Sequence, residues 1–586
     1  MKIHAILLTC LLLQPALLAG NGDDDSKTVQ IVTIGGSYAD HPSGSGFDPM
    51  SLLTGQGASK SFFDLCERLS EIARDPKVDA VLLDLSSPSL GLNQAQFTEL
   101  GRHIGLLRAA GKPTYAWLEG AGTPHYAVAS ACDTIVMADF GALDLPSLSM
   151  TSMHFRDAMD LLGIRADVVR VGEFKGAVEP FTLSHMSQHL REHYLAMVTS
   201  MNDALVSLIA ENRGLEAKAV RDAQARRLIG PLDAKKRGLV DVLVPYGEDR
   251  ARIGKMIGDA VVWKDPSKEK KSQSLFDILR ELMDEGSSGP KGAHLAVLHL
   301  DGSIVDGTQA QSGSMVSGPT VEAILDVAND RDVRGVVVRI DSPGGSATAS
   351  EAIREALEEL ASRKPVVFSM GNVAASGGYW ITCIGRPIFA EAGTITGSIG
   401  VFGMKMNLGP LLNRIGIHIE TIALDETAAA TAPDRGFGEE LRASLEEHIG
   451  HTYDRFLGLV ARSRRMSVDK VDSIGGGRVW SGAQARELGL VDHVGGLDDA
   501  LAALREQVGV KPDIDVAHLP KAKSFFESLS AFSGASVESP LAGIDPAVLA
   551  WAHRLGFRLE GPLQLLLHPA SPSTVWALTP TELVIR

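Results

Sequence analysis

The sequence predicts an α/β protein assembled from two tandem copies of one domain. Three observations predict it. Short apolar runs rich in Val, Leu and Ile alternate with amphipathic helical stretches through most of the chain. That is the pattern of buried parallel strands joined by crossover helices. The run Asp75–Leu85 returns as Asp330–Ile340, and each is soon followed by Ser-Pro, at Ser87-Pro88 and Ser342-Pro343. Further on, Gly111–Ala116 pairs with Arg363–Phe368, while Cys132 recurs as Cys383 and Gly238–Asp241 as Gly489–Asp492, both 251 residues later. Self-similarity at a fixed offset means duplication, and 586 residues exceed what one ordinary core organises.

In chain order, the N-terminus carries Lys2, an apolar run from Ala5 to Ala19, and then Asp23, Asp24 and Asp25. The run is shorter than the roughly 20 residues a spanning helix needs, and Gln14 and Pro15 interrupt it. Residues 1–20 read as a secretory signal peptide, with an uncleaved N-terminal anchor as the alternative. The charge asymmetry places the rest of the chain outside the cytoplasm. Residues 27–262 form the first repeat. Residues 263–291 are a charged linker rich in Ser, Gly and Lys, with one amphipathic helix over Leu275–Met283. Residues 292–510 form the second repeat. Residues 511–586 are a less periodic C-terminal extension with an apolar piece, Leu563–Leu567, and a strand-like end. After the N-terminus no apolar run is long enough to span a bilayer, so the body is expected to be soluble.

Apolar residues make up 45% of the chain and charged residues 22%, as in ordinary globular proteins. A net charge of −16 argues against a nucleic-acid surface. The one basic cluster, Lys268, Lys270 and Lys271, is broken by Glu269 and reads as solvated linker. Cys10 lies in the N-terminal run. Cys66, Cys132 and Cys383 lack metal-binding spacing and read as small buried apolar residues. No H-E-x-x-H, P-loop or dinucleotide fingerprint in a supporting context is present. No cofactor and no metal is therefore expected.

The two copies differ where chemistry would sit. The second has Ser342-Pro343-Gly344-Gly345-Ser346, whose glycines let backbone N–H groups approach a ligand. The first has Ser87-Pro88-Ser89-Leu90-Gly91. The second continues Asn372-Val373-Ala374-Ala375-Ser376-Gly377-Gly378-Tyr379-Trp380, which suits a serine at a tight strand-to-helix junction. The first has Gly120-Ala121-Gly122-Thr123-Pro124-His125-Tyr126 there, with no serine. In return the first copy holds Lys175 within Val171–Phe181, where the second has Ala428. A serine and a lysine suffice for hydrolysis if the lysine is neutral, and burial beside Phe174, Ala177, Val178 and Phe181 would lower its pKa. Ala374 occupies the first position of what would be G-x-S-x-G, which argues against an α/β-hydrolase.

Gly344–Ser346, Ala374–Trp380, Thr396–Gly403, Gly172–Phe181 and Arg478–Gly482 together resemble signal peptide peptidase A (protease IV) of the long duplicated type, over residues 29 to 510. The resemblance implies a Clp/crotonase-like fold in each half. It also implies a serine endopeptidase with a Ser-Lys dyad, cleaving hydrophobic peptides such as signal-peptide remnants. A membrane-associated, periplasmic homo-oligomer, a tetramer in bacterial relatives, is further implied. Ser376 would be the nucleophile and Lys175 the base. Gly345 or Gly344, with Gly377, would donate to the oxyanion, and Ser398 would orient the lysine. Glu179-Pro180 would orient the lysine loop or cap a turn. Two other readings stay open: a crotonase-like acyl-CoA enzyme and a non-catalytic membrane-tethered scaffold. With Ser376 in one repeat and Lys175 in the other, the site is expected at the junction of the halves, within one chain or between neighbours.

Overall fold

The computed structural model describes residues 26–41, 59–258, 260–265, 290, 292–311, 313–520 and 575–578. The expected signal peptide, the helix expected over Leu275–Met283, Leu563–Leu567 and Cys10 lie outside the described residues. The chain is mixed α/β. In the first half, six parallel strands form one sheet in the order Val242–Val244, Thr134–Ala138, Thr114–Leu118, Ala80–Asp84, Lys27–Thr33, Val261–Lys264. Helices cover both faces. Val32, Val81, Leu83, Ala116 and Leu118 meet Leu69, Leu100, Ile104 and Val206 on one side. Ile31, Leu82, Trp117 and Val136 meet Ile253 on the other. Burial on both faces is why these strands read as unbroken apolar runs.

The second half repeats the plan. Val366–Ala375, Val333–Ser342, His294–Asp301 and Val516–Leu519 lie side by side in parallel. Ile388–Ala390 and Ile395–Gly397 both pair with the strand Val366–Ala375, and Val479–Ser481 closes the edge antiparallel to Ile395–Gly397. The repeat extends to single bonds. The Tyr126 hydroxyl donates to the Leu239 carbonyl at 2.9 Å, and the Tyr379 hydroxyl to that of Leu490 at 2.8 Å. Arg213 pairs with Asp241 at 2.6 Å, as Arg464 does with Asp492. The two Gly-Leu-Val-Asp segments recur because each anchors a buried tyrosine and an arginine. Helices Gln188–Arg213 and Glu439–Arg464 match in length, 26 residues each. Cys66, Cys132 and Cys383 are buried free thiols.

A further sheet joins the halves. Its order is Ser314–Val316, Ser303–Val305, Gly344–Ser346, Trp576–Leu578, Val401–Asn407, Arg165–Val171. The last two strands pair antiparallel over seven residues, from Val401 opposite Val171 to Asn407 opposite Arg165. A buried ion cluster adds to the junction: Arg339 of the second half contacts Asp40 and Glu99 of the first, each at 2.8 Å.

Candidate active site

Ser376 follows the last residue of the strand Val366–Ala375 and precedes the short helix Gly377–Trp380. Its φ of 57° is uncommon for a residue with a side chain. The surroundings enforce it: the Ser376 N–H donates to the Gly397 carbonyl at 2.8 Å, and the Ser376 carbonyl accepts from Trp380 N–H at 2.8 Å. Gly377 allows no side chain, since a Cβ there would lie 2.6 Å from Ser350 Oγ and 3.0 Å from the Gly345 nitrogen. The same proximity brings the Gly345 backbone beside the first turn of the helix, whose opening N–H groups have no intrahelical partner. A Cβ on Gly345 would fall 1.9 Å from the Ile304 carbonyl oxygen of the adjacent strand. The Ser-Gly-Gly and Gly-Gly-Ser motifs are thus close-approach motifs.

Lys175 reaches this point from the other half. The pairing of Arg165–Val171 with Val401–Asn407 runs the chain toward Ser398, and a turn then delivers the lysine. The Phe174 N–H donates to the Gly476 carbonyl at 2.9 Å. The backbone and Cβ of Lys175 lie against Gly477, and its Cδ lies against Gly400. Lys175 and Ser376 are each 0% exposed. The Lys175 Nζ donates to Ser376 Oγ at 2.6 Å, and it lies 3.1 Å from both the carbonyl and the hydroxyl oxygen of Ser398. Burial, with no charged neighbour contributing, holds this lysine well below the ordinary value. A neutral amine beside a serine hydroxyl is equipped to take its proton.

The expected apolar neighbours divide. Ala177 and Val178 pack with Phe402 and Trp576. Phe181 is buried. Phe174 instead lies under the Arg478 guanidinium, 3.8 Å from its ring centre, and against the Leu190–Tyr194 cluster. Much of the enclosure thus comes from glycines of the second half. Glu179 is buried and accepts from the Ser187 N–H at 3.0 Å and the Ser187 hydroxyl at 2.7 Å. It fastens the lysine loop to the start of the following helix. Ser398 also sits at positive φ, 51°, and its N–H is held by the Arg478 carbonyl at 2.6 Å. That bond accounts for the proximity of the Thr396–Gly403 and Arg478–Gly482 motifs.

The Gly344 N–H donates to Ser342 Oγ at 3.2 Å, while the Gly345 nitrogen lies close to Gly377. Sequence reasoning quoted Ser342 and Gly400 within their motifs without a role for either, and passed over Ser350 and Gly477. The run Gly475-Gly476-Gly477, directly before Arg478–Gly482, is the signal that pointed to the last. Sequence reasoning expected a strand-like C-terminal end but not its place: Trp576–Leu578 lies antiparallel to Gly344–Ser346 with Gly345 opposite Ala577. The Ala347 N–H donates to the Val575 carbonyl at 3.0 Å. Antiparallel pairs alternate, so two residues along, the Gly345 N–H is directed at the Ala577 carbonyl.

Two segments, residues 107–255 and 358–511, match the description Peptidase family S49. The chain is 31% identical over 482 residues to Protease 4 of Haemophilus influenzae, covering 80% of this chain and 77% of that one. It is 30% identical over 508 residues to Protease 4 of Salmonella typhi, covering 84% and 81%. To the protein named Serine protease SPPA, chloroplastic, of Arabidopsis thaliana it is 28% identical over 450 residues, covering 76% and 65%.

Proposed function

The chain belongs to peptidase family S49, as a serine-type peptidase of the long duplicated protease IV kind, and on that premise we propose that Ser376 is its nucleophile and Lys175 its general base. The observation that carries this is the 2.6 Å contact between Lys175 Nζ and Ser376 Oγ, both fully buried. Ser376 Oγ attacks the scissile carbonyl while Lys175 accepts its proton. The oxyanion gathers at the N–H groups of Gly377 and Gly345. Ser398 accepts from the resulting ammonium and keeps it aimed. Lys175 returns the proton to the leaving amine, which frees the first product and leaves an ester on Ser376. It then deprotonates the water that hydrolyses the ester.

The substrate lies as an extended strand along Gly344–Ser346. The chain's own Trp576–Leu578 supports this reading, because it adds to that edge in the manner of a bound peptide. We assign both halves to the Clp/crotonase-like fold, consistent with their parallel sheets. The family resemblance extends the reading to hydrophobic peptides such as signal-peptide remnants, cleaved at the extracytoplasmic membrane face by a homotetramer. No described helix is long and apolar enough to cross a membrane. The membrane segment in this reading is the N-terminal one.

Labelling with a fluorophosphonate probe tests the assignment. The native chain should label, and Ser376→Ala and Lys175→Ala should not. Undiminished casein hydrolysis by Ser376→Ala would sink the nucleophile.

A further inference from the structure

About the second half's sheet lies a group of side chains that peptide hydrolysis does not use. His299 stands on the strand His294–Asp301 and His518 on the neighbouring Val516–Leu519. Val297 pairs in register with His518, so both imidazoles project from the same face of the sheet. His41, just beyond the strand Gly36–Ala39 of the first half, stacks on His299 with ring centres 4.7 Å apart. One ring nitrogen from each of the three falls within 4.8 Å of the other two.

The bonding around them is incomplete. His299 Nε2 and His518 Nδ1 share a hydrogen bond of 2.8 Å, and His41 Nε2 lies 3.2 Å from the Pro520 carbonyl. His41 Nδ1, His299 Nδ1 and His518 Nε2 are buried without a partner. Leaving a buried polar atom unsatisfied costs about 1–3 kcal/mol, so three in one cluster call for an explanation. Burial, then the neighbouring imidazoles, holds His299 well below the usual histidine range. Burial and His41 bring His518 to about 3. His299 and His518 are therefore neutral at physiological pH, the form that binds metals.

We propose that His41, His299 and His518 form a binding site for one divalent transition-metal ion of the Zn²⁺ class. Three imidazoles suit such an ion, and leave a fourth position for water. Metal–nitrogen bonds of about 2.0–2.1 Å place ligand nitrogens roughly 3.3 Å apart in a tetrahedron. Small ring rotations close the present spacing, and binding exchanges the His299–His518 hydrogen bond for bonds to the ion. Arg339, the charged neighbour that acts on His299, contacts Asp40 and Glu99 at 2.8 Å each, and Asp301 Oδ1 is buried without a partner. The ion would pin His41 of the first half to two strands of the second, beside the Arg339–Asp40 contact. Its role is structural: a staple across the junction.

The test uses the full-length, tag-free chain, stripped with a chelator and dialysed against Zn²⁺ or Co²⁺. One equivalent per chain should be retained. Co²⁺ should show the visible bands of a tetrahedral nitrogen site, and the thermal midpoint should rise with metal concentration. His299→Asn should weaken retention by more than about 100-fold, because loss of even an outer-shell partner costs 10–100-fold. His41→Ala should do the same, and it alters a partly exposed residue with little risk to folding. Ser376→Ala should bind like the native chain. No retained metal and no thermal shift in the native chain would overturn the proposal. So would native-like retention by His41→Ala, or loss of the ion in Ser376→Ala, which would locate it at the dyad.

Discussion

Val171 lies opposite Val401 in the antiparallel ladder between the halves, and this register sets the reach of Lys175. Four residues beyond Val171 comes the lysine. Three residues before Val401 comes Ser398, whose carbonyl and hydroxyl it contacts. Side chains alternate along a strand, so a slip of one residue would turn every partner to the opposite face.

If Lys175 is the base, Lys175→Met and Ser376→Ala should each lower kcat/KM on a peptide substrate by about 10³-fold or more while circular dichroism stays native. Lys175→Arg should be equally inactive, since a guanidinium does not deprotonate at usable pH. Substantial activity in Lys175→Arg would count against general-base catalysis by this residue.

The buried lysine also predicts two pH dependences. kcat/KM should rise with pH along one acidic limb, with a midpoint below the ordinary lysine value because burial lowers it. For stability, the folded-state pKa lies below the unfolded one. Well above pH 10.5 both states hold a neutral amine and no penalty exists. As pH falls toward the folded pKa, only the unfolded chain gains the proton, and stability is lost. Lys175→Met should therefore be more stable than the native chain at pH 7, with the gap closing as pH approaches 10.5. Urea titrations across that range measure it.

Gly477→Ala should damage the site from outside the dyad. Its φ is +87°, and a Cβ would lie 2.4 Å from the Lys175 nitrogen. A loss of about 1–3 kcal/mol is expected from backbone strain, seen as a lower thermal midpoint. A larger fractional fall in kcat should accompany it, because the lysine is displaced.

Removing residues 575–586 should free the Gly344–Ser346 edge. On a short chromogenic peptide, KM should fall and kcat should hold, as expected when an intramolecular competitor is lost. Unchanged KM would mean that substrate does not use this edge.

Separate expression of the two halves should give no hydrolysis from either, with recovery on mixing if they reassociate. Activity in the second half alone would exclude Lys175 as the base.

Much of this architecture was legible because duplication writes itself twice. Apolar strands matched strands, and the paired Gly-Leu-Val-Asp segments marked equivalent tyrosine and arginine anchors. Ser376 and Lys175 stood out as residues that one copy has and the other lacks. What stayed hidden depends on long-range approach. Gly400 and Gly477 matter for the space they leave beside a lysine far away in the chain, and a glycine carries no label for that. Nothing in the sequence shows that the Gly344 N–H donates to the Ser342 hydroxyl. His41, His299 and His518 share no spacing rule, because the sheet alone brings them together; the expectation of no metal site rested on local motifs. The strand Trp576–Leu578 is short, and nothing in its composition reveals which edge it joins.

The glycine wall around Lys175 bears on when the enzyme becomes dangerous. Gly477 emerges 302 residues after the lysine, and at about 5–20 residues per second that interval lasts roughly 15–60 s. Over the last 101 residues of it the serine is already made, yet its base has no dry pocket and, like any exposed lysine, stays protonated at neutral pH. A half-made chain is thereby harmless to unfolded neighbours. Timing of synthesis itself acts as the safety catch.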